Sequence, residues 1–223
     1  MNIELEEFYT FPTRVKIASI LRKAIFSGDI KAGEELSLTD VANKLNVSRT
    51  PVREAFQILE SENLLELRMN KGAIVKCIDD NFFKDYYEVR ILLETKAIEK
   101  AINNNIDVSY LEKIHNDFER NIESSTEEDY KKYNQNFHFY IWKNANNEKL
   151  FSILLSLWNG PSFQIIGKRN YVNDSLEEHK EIIEAIKEKN IKKAISCVET
   201  HLNTSLKNIL ALKKWWRLYF KNE

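Results

Sequence analysis

The chain has 223 residues, 43% of them hydrophobic and 30% charged, with a formal net charge of -1. That length allows two domains, each with a core of its own, and the balanced charge excludes a partner dictated by bulk electrostatics alone. Only 5 Gly and 3 Pro are present, too few turn residues for a sheet-rich fold, so the chain should be mostly α. Cys77 and Cys197 are isolated, which argues against a disulfide framework and a thiolate metal site. The start "MNIELEEFYTFPTR" lacks the basic residues and apolar run of a signal peptide. No window nears the ~18 apolar residues of a membrane span, so a cytoplasmic protein without a membrane partner is expected.

From Thr13, apolar residues at Val15, Ile17, Ala18, Leu21, Ala24 and Ile25 keep a helical period until Ser27-Gly28-Asp29 stops it. "SLTDVANKL" follows as a short helix with Leu38, Val41, Ala42 and Leu45 inward, and a third helix opens at Ser48. Two helices joined by a tight turn form a helix-turn-helix pattern. Past Asn63, "LLELRMNKGAIVKCI" alternates with period two, turns at Asn70-Lys71-Gly72 and returns, which predicts a two-stranded wing. Asp79-Asp80-Asn81 caps a new helix, and helical patterns broken near residues 105, 125, 146, 170 and 190 run on from there. The expected architecture is an N-terminal winged helix-turn-helix, three helices plus the two-stranded wing, over residues 1–77. An all-α antiparallel bundle of about six helices follows over residues 78–223.

On a helical wheel of "SRTPVREAFQILE", Pro51, Val52, Ala55, Phe56, Ile58 and Leu59 fill one arc, and Arg49, Thr50, Arg53 and Gln57 the other. Ser48 suits the N-cap. Because Pro51 has no N–H, the Ser48 hydroxyl is expected to accept from the Thr50 N–H. In such motifs the N-terminal residues of the second helix enter the major groove, where arginine grips guanine or phosphate and threonine meets a thymine methyl. Ser48, Arg49, Thr50 and Arg53 are therefore candidate DNA contacts. At the wing tip, Arg68, Lys71 and Gly72 are candidates for an adjacent minor groove, glycine allowing close backbone approach.

Three of the four histidines, His138, His179 and His201, fall on apolar helical faces. Asn134 lies one turn before His138 on the same face and can share a ligand with it. If Lys189-Asn190 turns a helical hairpin, His179 and His201 each lie 11 residues from Asn190, roughly 16 Å along their helices at 1.5 Å per residue, and stand level. Singly, each histidine would be a hydrogen-bonded core residue. Together, three imidazoles in a bundle core are a normal way to build a metal site. His115 shows no such geometry and is expected to be structural or on the surface. Arg90, in "YEVRILLETKAIEKA", can anchor a carboxylate in two-point fashion or pair with Glu94 one turn on across the helix surface.

The run "VANKLNVSRTPVREAFQILESENLLELRMNKGAIV" resembles the winged-helix domain of GntR-family bacterial transcription regulators, with Asn63 where the family usually has glycine. Asparagine tolerates the left-handed conformation, so the helix stop should survive. The resemblance carries DNA contact onto Arg49, Thr50, Arg53 and Gly72. "NQNFHFYIWKNANNEKL", "EEHKEIIEAIKEKN" and "AISCVETHL" resemble the FCD ligand-sensing domain of one branch of this family. That likeness implies a divalent metal, Zn or Ni, on His138, His179 and His201, with Asn134 at a position where the family has aspartate. It also implies a small organic acid beside the metal.

The function expected from the sequence is a ligand-responsive, DNA-binding transcription regulator, acting on double-stranded operator DNA and answering a small carboxylate effector. The resemblance implies repression as the commoner mode and a homodimer, as does the two-fold logic of operator half-sites. Two alternatives stay open. One is a metal-dependent enzyme on the three histidines, although no general base stands beside them in a recognisable motif. The other is a DNA-binding protein whose bundle only dimerises.

Overall fold

The computed structural model describes residues 12–69, 72–158 and 169–219, which fall into one unit ending at Asp79 and another beginning at Asp80. The first unit opens with α1 (Thr13–Ser27), which buries Ile17, Ala18, Leu21 and Ile25. It ends where Gly28 adopts φ 81° and returns its N–H to the Ile25 carbonyl. A short strand β1 (Glu35–Leu36) leads into α2 (Leu38–Leu45), whose N-cap Ser37 accepts from the Asp40 N–H. Asn46, at φ 53°, stops α2 and turns the chain into α3 (Arg49–Ser61).

Strands β2 (Leu65–Arg68) and β3 (Gly72–Val75) pair antiparallel, Leu65 opposite Val75 and Arg68 opposite Gly72. The sheet is three-stranded rather than two-stranded, in the order β1-β3-β2. Two residues are too short a run to show alternation in a sequence, so β1 escapes the periodicity argument. Asn63 sits at φ 64°, the left-handed turn expected there. Arg22 from α1 forks onto Glu62 at the end of α3, Nε to Oε2 at 2.7 Å, with the arginine side chain 5% exposed. Such a two-point pair fixes the angle between the two helices as well as holding them together.

Gly72 has a structural reason of its own. Its φ is +100°, and a Cβ there would lie 2.0 Å from the Leu36 carbonyl oxygen. The close approach is made by β1. Asn70 and Lys71, the rest of the expected wing tip, lie outside the described residues.

The second unit is helical throughout its described residues: α4 (Asp80–Asn103), α5 (Val108–Arg120), α6 (Glu127–Asn144), α7 (Glu148–Trp158), α8 (Arg169–Lys187) and α9 (Ile191–Tyr219). A reciprocal capping box between Thr126 and Asp129 starts α6. Left-handed Asn105, Asn146 and Lys189 end α4, α6 and α8, close to the breaks read from the sequence. Helix α9 packs on α4 and α8, α6 on α4 and α5, and α5 on α8, so five helices surround one interior. Among the described residues no helix is long and apolar enough to cross a membrane.

Gly72→Ala is expected to destabilise the first unit by at least about 2 kcal/mol, from positive φ and the collision with Leu36 together. Thermal unfolding of the whole chain reads this as an earlier first transition, and an unchanged melting profile contradicts the packing described.

Candidate DNA-reading helix and histidine centre

Helix α3 is held by its apolar face. Val52, Ala55 and Leu59 are 0% exposed and Phe56 1%, while Arg49, Thr50, Arg53 and Gln57 are exposed. The side chains available to a partner are therefore those of the first two turns. Ser48 takes the N-cap position with φ -73° and ψ 161° but makes no side-chain cap bond. The expected Ser48–Thr50 bond is absent from the described contacts, and the extended backbone of Ser48 with Pro51 in the first turn defines the helix start instead. Arg68, at the end of β2, is exposed and lies 3.7 Å from the Glu66 carboxylate.

In the bundle, His138 on α6, His179 on α8 and His201 on α9 meet in the interior, at 3%, 0% and 3% exposure. Ring centroids stand 5.3 Å apart for His138–His179 and for His138–His201, and 4.7 Å for His179–His201. One ring nitrogen of each lies within 4.8 Å of the others. The turn at Glu188–Asn190 brings His179 and His201 level, as the equal spacing requires.

Each imidazole has its Nδ1 committed. His138 Nδ1 is 2.9 Å from Glu94 Oε2, His201 Nδ1 is 2.8 Å from Glu178 Oε2, and His179 Nδ1 is 2.9 Å from the Tyr133 hydroxyl. A carboxylate only accepts, so His138 and His201 carry their protons on Nδ1 and donate. The Tyr133 hydroxyl also meets His115 Nδ1 at 2.9 Å. Donation from His179 to Tyr133 and from Tyr133 to His115 satisfies both contacts. With that direction the lone pair of all three central rings is on Nε2, whereas donation from His115 to Tyr133 and from Tyr133 to His179 would put that of His179 on Nδ1. The Nε2 atoms of His138 and His179, like that of His115, are buried without a partner.

Burial pushes His138 down to about 4 against the pull of Glu94, and pushes His179 well below the usual imidazole range, with His201 next to it adding to the effect. Both rings are therefore neutral at physiological pH, the form that ligates a metal. Burial opposes ionisation of Glu94, but Arg90 and His138 hold it down at about 2. Arg90 and Glu94 are joined Nε to Oε1 at 2.5 Å, with side chains 3% exposed each. The pair expected on the helix surface is thus a buried one, and its second carboxylate oxygen serves His138 and, at 3.2 Å, Trp142 Nε1. Trp158 lies under the Arg90 guanidinium at 5.4 Å and beside His138 at 5.3 Å. Phe137 stacks on His179 at 4.0 Å.

Asn134, one turn before His138 on α6, has a buried Oδ1 without a partner. His115 is 3% exposed and belongs to the interior, not the surface. Sequence reasoning missed Glu94, Glu178 and Tyr133 as partners of the histidines. Glu94 had a signal in its one-turn spacing from Arg90. Glu178 and Tyr133 are adjacent in sequence to site residues, where a helix turns them away by about 100° per residue, so only the neighbouring helices reveal their role.

Two family models match this chain: Bacterial regulatory proteins, gntR family, over residues 13–75, and the FCD domain over residues 85–204. The chain is 31% identical over 200 residues to the HTH-type transcriptional regulator YdhC of Bacillus subtilis, spanning 86% of this chain and 88% of that one. It is 30% identical over 205 residues to the gluconate operon transcriptional repressor of Bacillus subtilis, spanning 86% and 82%. Among solved structures, McbR/YncC of E. coli has the same fold, with a TM-score of 0.71 at 20% identity over 92% of this chain and 100% of that one.

Proposed function

The chain belongs to the GntR family of bacterial regulatory proteins and carries an FCD domain. On that premise we propose that it is a repressor whose hold on operator DNA is released by a small carboxylate bound beside a divalent metal ion in the C-terminal bundle. Regulation of transcription, not catalysis, is the activity of the family and of these relatives, which removes the enzyme alternative.

For DNA, the reading is supported by Arg49, Thr50 and Arg53 standing exposed on the first turns of a helix that its apolar face holds rigidly. Arginine at such a site reads guanine edges or phosphates. Ser48 and Gly72 would contribute backbone N–H groups, and Arg68 and Lys71 charge toward the neighbouring backbone. The protein would act in the cytoplasm, where operator DNA lies, as a homodimer on paired half-sites.

For the metal, the observation that carries the reading is the pair of buried Nε2 atoms without partners, on rings whose Nδ1 atoms are already committed. Nitrogens within 4.8 Å of one another need move inward by no more than about 0.7 Å each to reach the 2.0–2.1 Å of a zinc–imidazole bond. Imidazole donors suit Zn or Ni, and the orphaned Asn134 oxygen is a fourth candidate donor. Such an ion supplies open positions for a carboxylate. Arg90 is the second candidate anchor, a buried cation one carboxylate away from His138. With the ion and Arg90 on one side and Glu94 and Glu178 on the other, one positive charge is left over, which a single carboxylate neutralises. The effector changes operator affinity only by its differential affinity for the two states of the regulator.

Protein prepared without chelator is expected to hold about one Zn or Ni per chain by elemental analysis, and His179→Ala to lose it together with any effector response. No metal in the wild type and no uptake on titration would remove the metal. Response retained in the histidine variant would separate the effector from the metal, and no response in wild type or variant would leave the bundle a dimerisation domain only. At the operator, Arg49→Ala or Arg53→Ala should each cost about 1–3 kcal/mol, while Lys71→Ala should mainly lower the salt dependence. Operator affinity unchanged in both arginine variants would refute the DNA assignment.

A further inference from the structure

The three imidazoles that converge in the bundle bring no negative charge to an ion carrying two positive ones, and Asn134, one turn before His138 on α6 with its Oδ1 buried and without a partner, offers only a carboxamide. A neutral donor set in a buried site leaves the ion's charge to be balanced from farther out, because the solvent that would otherwise screen it is excluded. Two carboxylates stand at the right place. Glu94 reaches His138 Nδ1 at 2.9 Å, and Glu178 reaches His201 Nδ1 at 2.8 Å. They come from different helices, α4 and α8, and act on rings carried by α6 and α9. The third ring, His179, meets a neutral phenol instead.

We propose that Glu94 and Glu178 are the positioning residues that make this neutral donor set a metal site, supplying through the His138 and His201 rings the negative charge that Asn134 lacks. The inference rests on the metal reading above. A carboxylate accepting from Nδ1–H draws that proton toward itself and raises the basicity of Nε2, so charge is delivered to the ion through the ring while the ring is also held in orientation. The two carboxylates are not equivalent. Glu94 is tied to Arg90, which cancels much of its charge, whereas Glu178 has its side chain 17% exposed. Glu178 should therefore carry more of the effect, and its removal leaves no buried cation behind.

The test is competition of full-length, metal-stripped protein against a chromophoric chelator for Zn, in wild type, Glu178→Gln, Asn134→Asp and the double variant. Glutamine keeps an oxygen that accepts from Nδ1–H, so the ring stays anchored and only the charge is lost. Glu178→Gln is expected to weaken Zn binding by about 10- to 100-fold, and Asn134→Asp in the same chain to recover most of that loss by placing a carboxylate directly on the ion. Circular dichroism and melting of the metal-free proteins establish that each variant is folded. Glu94→Gln serves as a second variant where it folds, with a smaller loss. Affinity unchanged in Glu178→Gln overturns the inference, and so does a loss that Asn134→Asp leaves in place, since that would mark Glu178 as a prop for the ring and not a source of charge. Wild-type protein that takes up no Zn contradicts the metal reading itself, a result distinct from either of these.

Discussion

A buried imidazole has two nitrogens to satisfy, and the bundle satisfies Nδ1 on each of three rings and leaves the Nε2 of His138 and His179 without a partner. Glu94, Tyr133 and Glu178 take the Nδ1 atoms of His138, His179 and His201. That arrangement sets requirements on the rest of the unit. Helices α8 and α9 must turn so that two histidines stand level, α6 must present a third, and α4 must bring a carboxylate into the interior. A buried carboxylate needs a counter-charge, which Arg90 provides one turn away, and the guanidinium in turn lies over Trp158. Polar groups that would weaken a core singly here support one another, and the orphaned Nε2 atoms are the part left for something else to complete.

The N-terminal unit depends on a different constraint, the fixed presentation of one helix. Val52, Ala55, Phe56 and Leu59 seat α3, the Arg22–Glu62 fork sets its angle to α1, and left-handed Asn46 and Asn63 bound it at either end. A helix so held has no backbone left to order when its arginines meet a partner, only their side chains, which favours reading a surface over merely adhering to it.

The larger outline was legible because it follows from periods. Apolar spacing gave the helices, interruptions of that spacing gave their ends, and the equal distances of His179 and His201 from Asn190 gave a convergence that the folded chain displays at 4.7 Å between rings. What periodicity could not give was contact between helices. Glu178 and Tyr133 look like ordinary neighbours of site residues until α9 and α8 are packed against them. The sequence leaves His115 open between a structural and a surface residue because its partner, the Tyr133 hydroxyl, lies on another helix. Gly72 reads as allowing close backbone approach, and one such approach is made by the two-residue strand β1, too short to declare itself in the sequence. The Ser48 cap was an argument from side-chain preference that the backbone of the turn made unnecessary.

A metal on the three converging histidines requires their Nε2 atoms free and their Nδ1 atoms protonated and anchored. Long-range proton–nitrogen correlation spectra of protein labelled with nitrogen-15 at its four histidines test it directly, recorded before and after one equivalent of Zn. His138, His179 and His201 are expected as Nδ1–H tautomers throughout, their Nε2 resonances alone shifting on metal addition, with His115 keeping its tautomer. Nε2-protonated rings in the metal-free protein, or Nδ1 resonances shifting in place of Nε2, would contradict it.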